Sequence, residues 1–280
     1  MRSTTFWPVG LLSSAFQADV NRQSVAMAIC VGYFVADEAG AGYGDITVAG
    51  YVSSKARWRQ FDERWPRELQ REQLTAVDGA QFLDAAGERA SGWLNDPQRQ
   101  IRVVRSLRRV ADQHGLRAFA CSLRQADFDA VNSEYRFAES ASGPYGVCAA
   151  CLIARIQQWM GEHHPDDLTL FVFEEGDVHH REILRVRGAL GVDKGEPPQL
   201  WPRSWVDERG RTRRLRPFEA CDLLVLPSPP PTHDLERISR TRLLEICQTM
   251  SIPRRASQAD DRACFSATTS PDRAGTVFVR

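Results

Sequence analysis

Lysine is almost missing from this chain. Of its 36 basic residues only Lys55 and Lys194 are lysine; the rest are arginine. Arginine suits bidentate contact with phosphate, but a GC-rich genome gives the same bias and is the simpler explanation. Excess charge of either sign is also missing. Lys+Arg and Asp+Glu are both 36, so net charge argues neither for nor against a polyanionic partner. No apolar run is long enough to span a membrane. A zinc site is not encoded by close cysteine pairs, because Cys148-x-x-Cys151 has no second pair to complete it. Seven scattered cysteines fit small buried thiols in a reducing compartment, hence a cytoplasmic protein.

At 280 residues and 42% hydrophobic, the chain is an ordinary globular composition, with room for one large domain or two small ones. Residues 1–26 carry one early Arg and a short apolar patch, Phe6 to Leu12, broken by Pro8. That makes a poor signal peptide, so 1–26 is expected to be a disordered extension. Residues 27–226 hold the regular patterns. Pro227-Ser-Pro-Pro-Pro-Thr232 is a stiff linker. Beyond it, Leu235 to Met250 has weak helical periodicity, and 251–280 is polar and aperiodic. The expectation for 227–280 is a linker and a mostly disordered tail.

Two apolar runs end on acids. Val31-Gly-Tyr-Phe-Val-Ala36 reads as a buried strand and stops at Asp37 and Glu38. A glycine-rich turn and a second strand, Ile46 to Val52, make it a hairpin. The turn leads into a strand and not a helix, so it is no phosphate-cradling loop. Leu168 to Phe173 is the second such run, ending on Glu174, Glu175 and, past a glycine, Asp177. His179 and His180 follow; paired surface histidines are their commoner meaning. A third acid, Asp222, interrupts the apolar helix Pro217 to Leu226. A buried carboxylate needs a cation or donors. For Asp222 an arginine salt bridge is the plain reading and a shared metal ion the alternative.

Between these points lie the core elements. Trp58, Phe61, Trp65 and Leu69 recur at helical spacing, with Pro66 expected to kink or restart the helix. Asp96-Pro97 opens a helix to His114, with Ile101, Val104, Leu107 and Ala111 as its apolar stripe and Arg99, Arg102, Arg105, Arg108 and Arg109 around it. Leu116 to Leu123 reads as a third strand and Tyr145 to Met160 as a helix. Gln199 to Val206 reads as a fifth strand, followed by a basic turn with Arg211, Arg213, Arg214 and Arg216.

In this order the motifs resemble the domain-of-unknown-function-3800 family, predicted nucleases related to ribonuclease H. The family's Asp-Glu-Ser-Gly is matched by Asp37-Glu38-Ala39-Gly40, and its Gly-Tyr-Val strand by Gly50-Tyr51-Val52. Its W-x-x-F-x-x-x-W helix is matched by Trp58, Phe61 and Trp65. Its Glu-Gly-Asp end is matched by Glu175-Gly176-Asp177. Its Pro-Leu-Gln-x-Ala-Asp-Leu-Leu helix is matched by Pro217 to Leu224 with Asp222. The resemblance covers about residues 29–226. Ala39 replaces the motif serine, Asp78-x-x-Gln81 stands where the family has His-x-x-Asp/Glu, and prolines follow Leu224.

The resemblance implies an α/β, ribonuclease H-like fold over 27–226: a mixed central sheet of about five strands flanked by helices. It implies a metal-dependent nuclease that hydrolyses DNA or RNA with two Mg²⁺ or Mn²⁺ ions. The chemistry needs carboxylates from distant elements converging on ions roughly 3.5–4 Å apart, and hard oxygen ligands select those metals. Asp37, Glu174 and Asp222 take the catalytic and metal-ligand roles, with Glu38 and Glu175 as reserve ligands. Converged acids without a cation repel one another, so at least one is expected to titrate high before metal binds. An inactive nucleic-acid-binding module of the same fold and a phosphoester hydrolase for small molecules stand as alternatives.

Overall fold

The computed structural model describes residues 25–36, 43–77, 96–114, 117–140, 142–175, 181–183, 185, 198–207, 209–224, 234–249 and 251–255. Its frame is a hairpin of two long strands, β1 (Val25–Ala36) and β2 (Tyr43–Ser54), paired antiparallel with Cys30 opposite Gly50. β3 (Arg117–Arg124) adds antiparallel to β2. β4 (Leu168–Glu174) pairs parallel with β1, and β5 (Gln199–Trp201) pairs parallel with β4. β8 (Asp234–Ile238) closes the far edge, parallel to β3. The order is β5-β4-β1-β2-β3-β8, a mixed α/β sheet of six strands where about five were expected.

Helices cover both faces, and strand alternation sorts the core between them. On one face Ala49, Tyr51, Ala118, Ala120, Leu170 and Val172 meet α1 (Lys55–Arg71), α2 (Pro97–Gln113) and the short α6 (Arg216–Asp222). On the other, Ala28, Cys30, Ile46, Val48, Phe119, Phe171 and Phe173 meet α3 (Gln125–Glu134), α4 (Phe137–Ser140), α5 (Pro144–His163) and α7 (Arg240–Thr249).

Local chemistry starts the helices where the pattern expects them. Ser54 caps α1 by accepting from the Arg57 amide at 3.4 Å, and Trp58, Phe61, Trp65 and Leu69 are its buried stripe. Asp96 accepts from the Gln98 and Arg99 amides at 3.0 and 3.1 Å, ahead of Pro97 at the first turn of α2.

Several expectations are corrected. α1 runs unbroken through Pro66. That proline sits on the exposed face, where water can satisfy the carbonyl it leaves without a donor. In α2 Ile101 is 47% exposed, whereas Val103 and Val110 join the core, so the buried stripe is turned by about half a helical step. The expected fifth strand, Gln199 to Val206, divides. Its first part stays in the sheet as β5. Its second, β6 (Ser204–Val206), leaves to form a separate hairpin with β7 (Thr212–Arg214). The break falls at Pro202-Arg203, where proline cannot supply a ladder amide.

The expected linker and tail, 227–280, is corrected between 234 and 255. β8 joins the sheet, and Ile238, Leu243, Cys247 and Ile252 are buried against the α5 side. β8 escaped notice because it is an edge strand dressed in charge. Glu236 pairs with Arg155 at 3.1 Å, and Arg237 with Asp45 at 3.3 Å. At the other end, β1 begins at Val25, inside the span 1–26 expected to be an extension. Residues 1–24 and 256–280 lie outside the described residues.

Candidate functional site

β4 ends at the carboxyl end of the parallel strands, and α6 packs on the α1–α2 face against β1 and β2. Phe173 points to the α5 side, so the next residue, Glu174, must face the opposite way. Asp222 reaches the same place from the last turn of α6. It is completely buried, because Phe218, Ala220 and Cys221 of the same turn are packed into the core.

Arg203 joins the two acids. Its Nε and Nη2 donate to Glu174 Oε1 and Oε2, both at 2.7 Å. Its Nη1 and Nη2 donate to Asp222 Oδ2 and Oδ1 at 2.6 and 3.1 Å. Both carboxylates bond the same Nη2, so their nearest oxygens lie less than about 6 Å apart. The guanidinium fork fits this double bidentate task, which a lysine ammonium would not. Burial works against the Arg203 charge, but the hydrogen bonds and charges of Glu174 and Asp222 outweigh it and raise its pKa. Arg203 is held in turn by its backbone: its carbonyl accepts from the Leu215 amide at 2.8 Å, at the start of α6.

Glu174 and Asp222 therefore meet, as expected. The mutual repulsion expected of converged acids does not hold for this pair, because Arg203 supplies the cation. Of the two readings open for Asp222, the arginine salt bridge is the one present. Glu175 stays out: its side chain is exposed, and its amide is spent on the Trp201 carbonyl at 2.7 Å. Asp37 and Glu38 lie outside the described residues, as do Asp177, His179, His180 and the Asp78–Gln81 stretch. Cys30 is opposite Phe173, and β1 runs six residues beyond that pairing to Ala36, roughly 20 Å of strand.

A second acidic point lies one turn back along α6. Glu219 is completely buried. It accepts from Trp65 Nε1 at 3.0 Å, from Arg216 Nη1 at 2.6 Å and from the Val77 amide at 3.4 Å. Burial raises its pKa against the pull of Arg216 and Trp65. Asp62, half-buried nearby, is pushed up to about 6, first by burial and then by Glu219 and Glu63, with Arg216 opposing. Neither Arg203 nor Glu219 was singled out from the sequence. Glu219 carried the same signal as Asp222, an acid inside an apolar helix. Arg203 carried a fainter one, a Pro-Arg pair breaking a strand pattern.

The remaining expectations are plainer. The basic turn after β6 is tied to Asp207, which accepts from the Arg209 and Arg211 amides at 2.9 Å and from Arg211 and Arg213 Nε at 3.0 and 2.9 Å. Those bonds, the Arg211 amide foremost, hold its carboxyl well below the usual range. Cys148 is buried and Cys151 half-buried, and burial lifts the Cys151 thiol to about 11, far from a thiolate metal ligand. On α2, Arg102, Arg105 and Arg109 face solvent, while Arg108 donates to the Leu223 carbonyl at 2.7 Å and docks this helix against α6.

Among the described residues no group of three or more His, Cys, Asp or Glu side chains is placed to hold a metal ion. Glu174 and Asp222 supply hard oxygens suited to Mg²⁺ or Mn²⁺, but two carboxylates do not complete a two-ion site. No helix among the described residues is long and apolar enough to cross a membrane. No family model, no curated protein and no solved structure matches the chain.

Proposed function

We propose that the chain is a ribonuclease H-like, Mg²⁺- or Mn²⁺-dependent nuclease acting on DNA or RNA. The observation that carries this reading is the meeting of Glu174, from β4, and Asp222, from α6, at the carboxyl end of a parallel strand pair. The sheet supports it. It is a mixed sheet flanked by helices, an antiparallel three-strand meander followed by two parallel strands in the spatial order 3-2-1-4-5, with β8 added at the far edge. Sites in open α/β sheets sit outside the carboxyl ends of the strands.

In this reading Glu174 and Asp222 hold a divalent ion through their oxygens, and the ion's chemistry is to activate water and stabilise the leaving oxygen. Asp37 remains the proposed third ligand, with Glu38 in reserve; Glu175, whose side chain is exposed, drops out. Solvent-facing Arg102, Arg105 and Arg109 on α2, beside α6, would contact the phosphate backbone and so position the strand without reading its sequence. A cytoplasmic setting accords with the buried thiols, which form no disulfide among the described residues.

The test is cleavage of labelled single- and double-stranded DNA and RNA with Mg²⁺ or Mn²⁺, comparing the parent with Glu174→Gln, Asp222→Asn and Asp37→Asn. Metal-dependent cleavage lost in all three supports the assignment. Cleavage that survives Asp222→Asn would remove it. Cleavage lost in the first two but retained in Asp37→Asn would remove Asp37 alone.

A second reading is carried by the bonding of Arg203 to all four carboxylate oxygens: a nucleic-acid-binding module whose arginine stands permanently where an ion would be. Salt-sensitive binding without metal uptake or cleavage would favour it.

A further inference from the structure

We propose that the outer face of α1 and α2 is a binding track for double-stranded nucleic acid, which it holds by the phosphates of both strands, without metal and without reading sequence. The inference rests on the reading above for the class of partner only; it adds the α1 face and the duplex form.

Charge is the first observation. α1 and α2 together carry eleven basic residues against four acidic ones, in a chain whose totals are equal. The excess is also ordered. Arg64, Arg67 and Arg71 stand at i, i+3 and i+7 on α1, and Arg102, Arg105 and Arg109 repeat that spacing on α2. All six are exposed, so each helix shows solvent one row of arginines. The helices lie side by side and antiparallel. Arg102 approaches Glu72 at 3.8 Å, Ser106 donates to Glu68, and burial followed by the charge of Arg64 lowers the pKa of His114, just past α2. The two rows thus run alongside each other for about 10 Å, with the helix axes roughly 8–10 Å apart. Pairing is the second observation. Arg64, Arg67, Arg105 and Arg109 have no acidic partner among the described residues. Arg71 and Arg102 touch Glu68 and Glu72 only at 3.7 and 3.8 Å and keep 75% and 63% of their exposure; such pairs are worth little in water. The third observation decides the form of the partner. Trp58, Phe61 and Trp65 of α1 are all buried, and α2 has no aromatic residue. A single strand is held largely by stacking its bases on exposed rings, and this face has none to give. A duplex keeps its bases inside and presents two phosphate backbones, which suits two rows of guanidinium groups.

The test is fluorescence anisotropy of the full chain in EDTA over a range of salt, with a short labelled DNA duplex of mixed sequence, its single strand, and vesicles containing phosphatidylserine. The parent should bind the duplex roughly tenfold more tightly than the strand, and lose affinity steeply as salt rises. Arg64→Gln with Arg67→Gln, and Arg105→Gln with Arg109→Gln, should each weaken duplex binding and lower the salt slope by about 2; all four together should lower it by about 3–4. These side chains are exposed, so circular dichroism melts should match the parent; were the fourfold variant unfolded, the two double variants decide. Arg240→Gln with Arg242→Gln removes as much charge from α7, on the other face of the sheet, and should change duplex binding little. Equal binding of strand and duplex, an equal loss in the α7 variant, or tighter binding to the vesicles than to the duplex would each overturn the proposal. Cleavage separates it from the proposed function. Duplex binding lost in the α1 and α2 variants, with no cleavage by the parent under Mg²⁺ or Mn²⁺, leaves the track and removes the nuclease. Metal-dependent cleavage and duplex affinity both kept by the fourfold variant remove the track and leave the nuclease.

Discussion

Replacing Asp222 by Asn tests whether the site is organised by charge or by packing. The side chains have nearly the same volume, so α6 keeps its shape. What changes is that one oxygen becomes an amide facing an Arg203 N–H, donor against donor, and the carboxylate charge disappears. Asp222 is completely buried, so water cannot compensate. Breaking a buried pair by removing one partner costs roughly 3–5 kcal/mol. Arg203 retains both bonds to Glu174 and about a fifth of its exposure, which puts the expected loss lower, at about 2–3 kcal/mol. For a chain of this size that is a fall in melting temperature of roughly 5–10 °C. Urea unfolding at neutral pH of the parent, Asp222→Asn, Arg203→Met and the double variant closes the cycle. The coupling between the two positions should be about 1.5–3 kcal/mol. Were the acids instead held together against their own repulsion, neutralising one would stabilise the protein. A variant as stable as the parent, or a coupling near zero, would refute the argument.

Three other outcomes are expected. Asp62 titrates at about 6 in the folded chain against an ordinary 3.8; its protonated form is the one the fold favours, so its contribution is full below the ordinary value and lost as pH rises through 6. Asp62→Asn should therefore be more stable than the parent at pH 8, by up to about 2 kcal/mol, and equal to it near pH 4; a pH-independent difference in urea midpoints would contradict this. Trp65→Phe removes the Nε1 donor from Glu219 and some core volume, costing about 2–3 kcal/mol. Circular dichroism melts of parent and variant check it, and a variant that melts with the parent would contradict it. Ending the chain at residue 233 removes the buried Ile238, Leu243, Cys247 and Ile252, at ~1.5–3 kcal/mol each for the larger ones. The shortened protein should be insoluble or unfolded in expression trials and circular dichroism, and a folded product would show that β8 and α7 are dispensable.

The local pattern of residues was enough to specify most elements and the two acids that meet. Apolar runs closing on Glu174, an acid inside the apolar turn of α6, and the aromatic stripe of α1 are each legible because a buried strand or helix must repeat its apolar residues at a fixed period. The same logic named both Asp222 and its plain partner class, an arginine. Which arginine was not legible. Many of the 36 basic residues are candidates on sequence grounds; only the parallel pairing of β5 with β4 and the break at Pro202 bring Arg203, 29 residues from Glu174 and 19 from Asp222, into contact with both. β8 was missed for a related reason. Its charged side chains have no apolar period to read, and its place in the sheet is secured by backbone bonds to β3 and by Arg155, more than eighty residues away. Periodicity records what each segment buries. The partner that satisfies a buried charge, or the edge that a polar strand completes, depends on distances through space that no local pattern encodes.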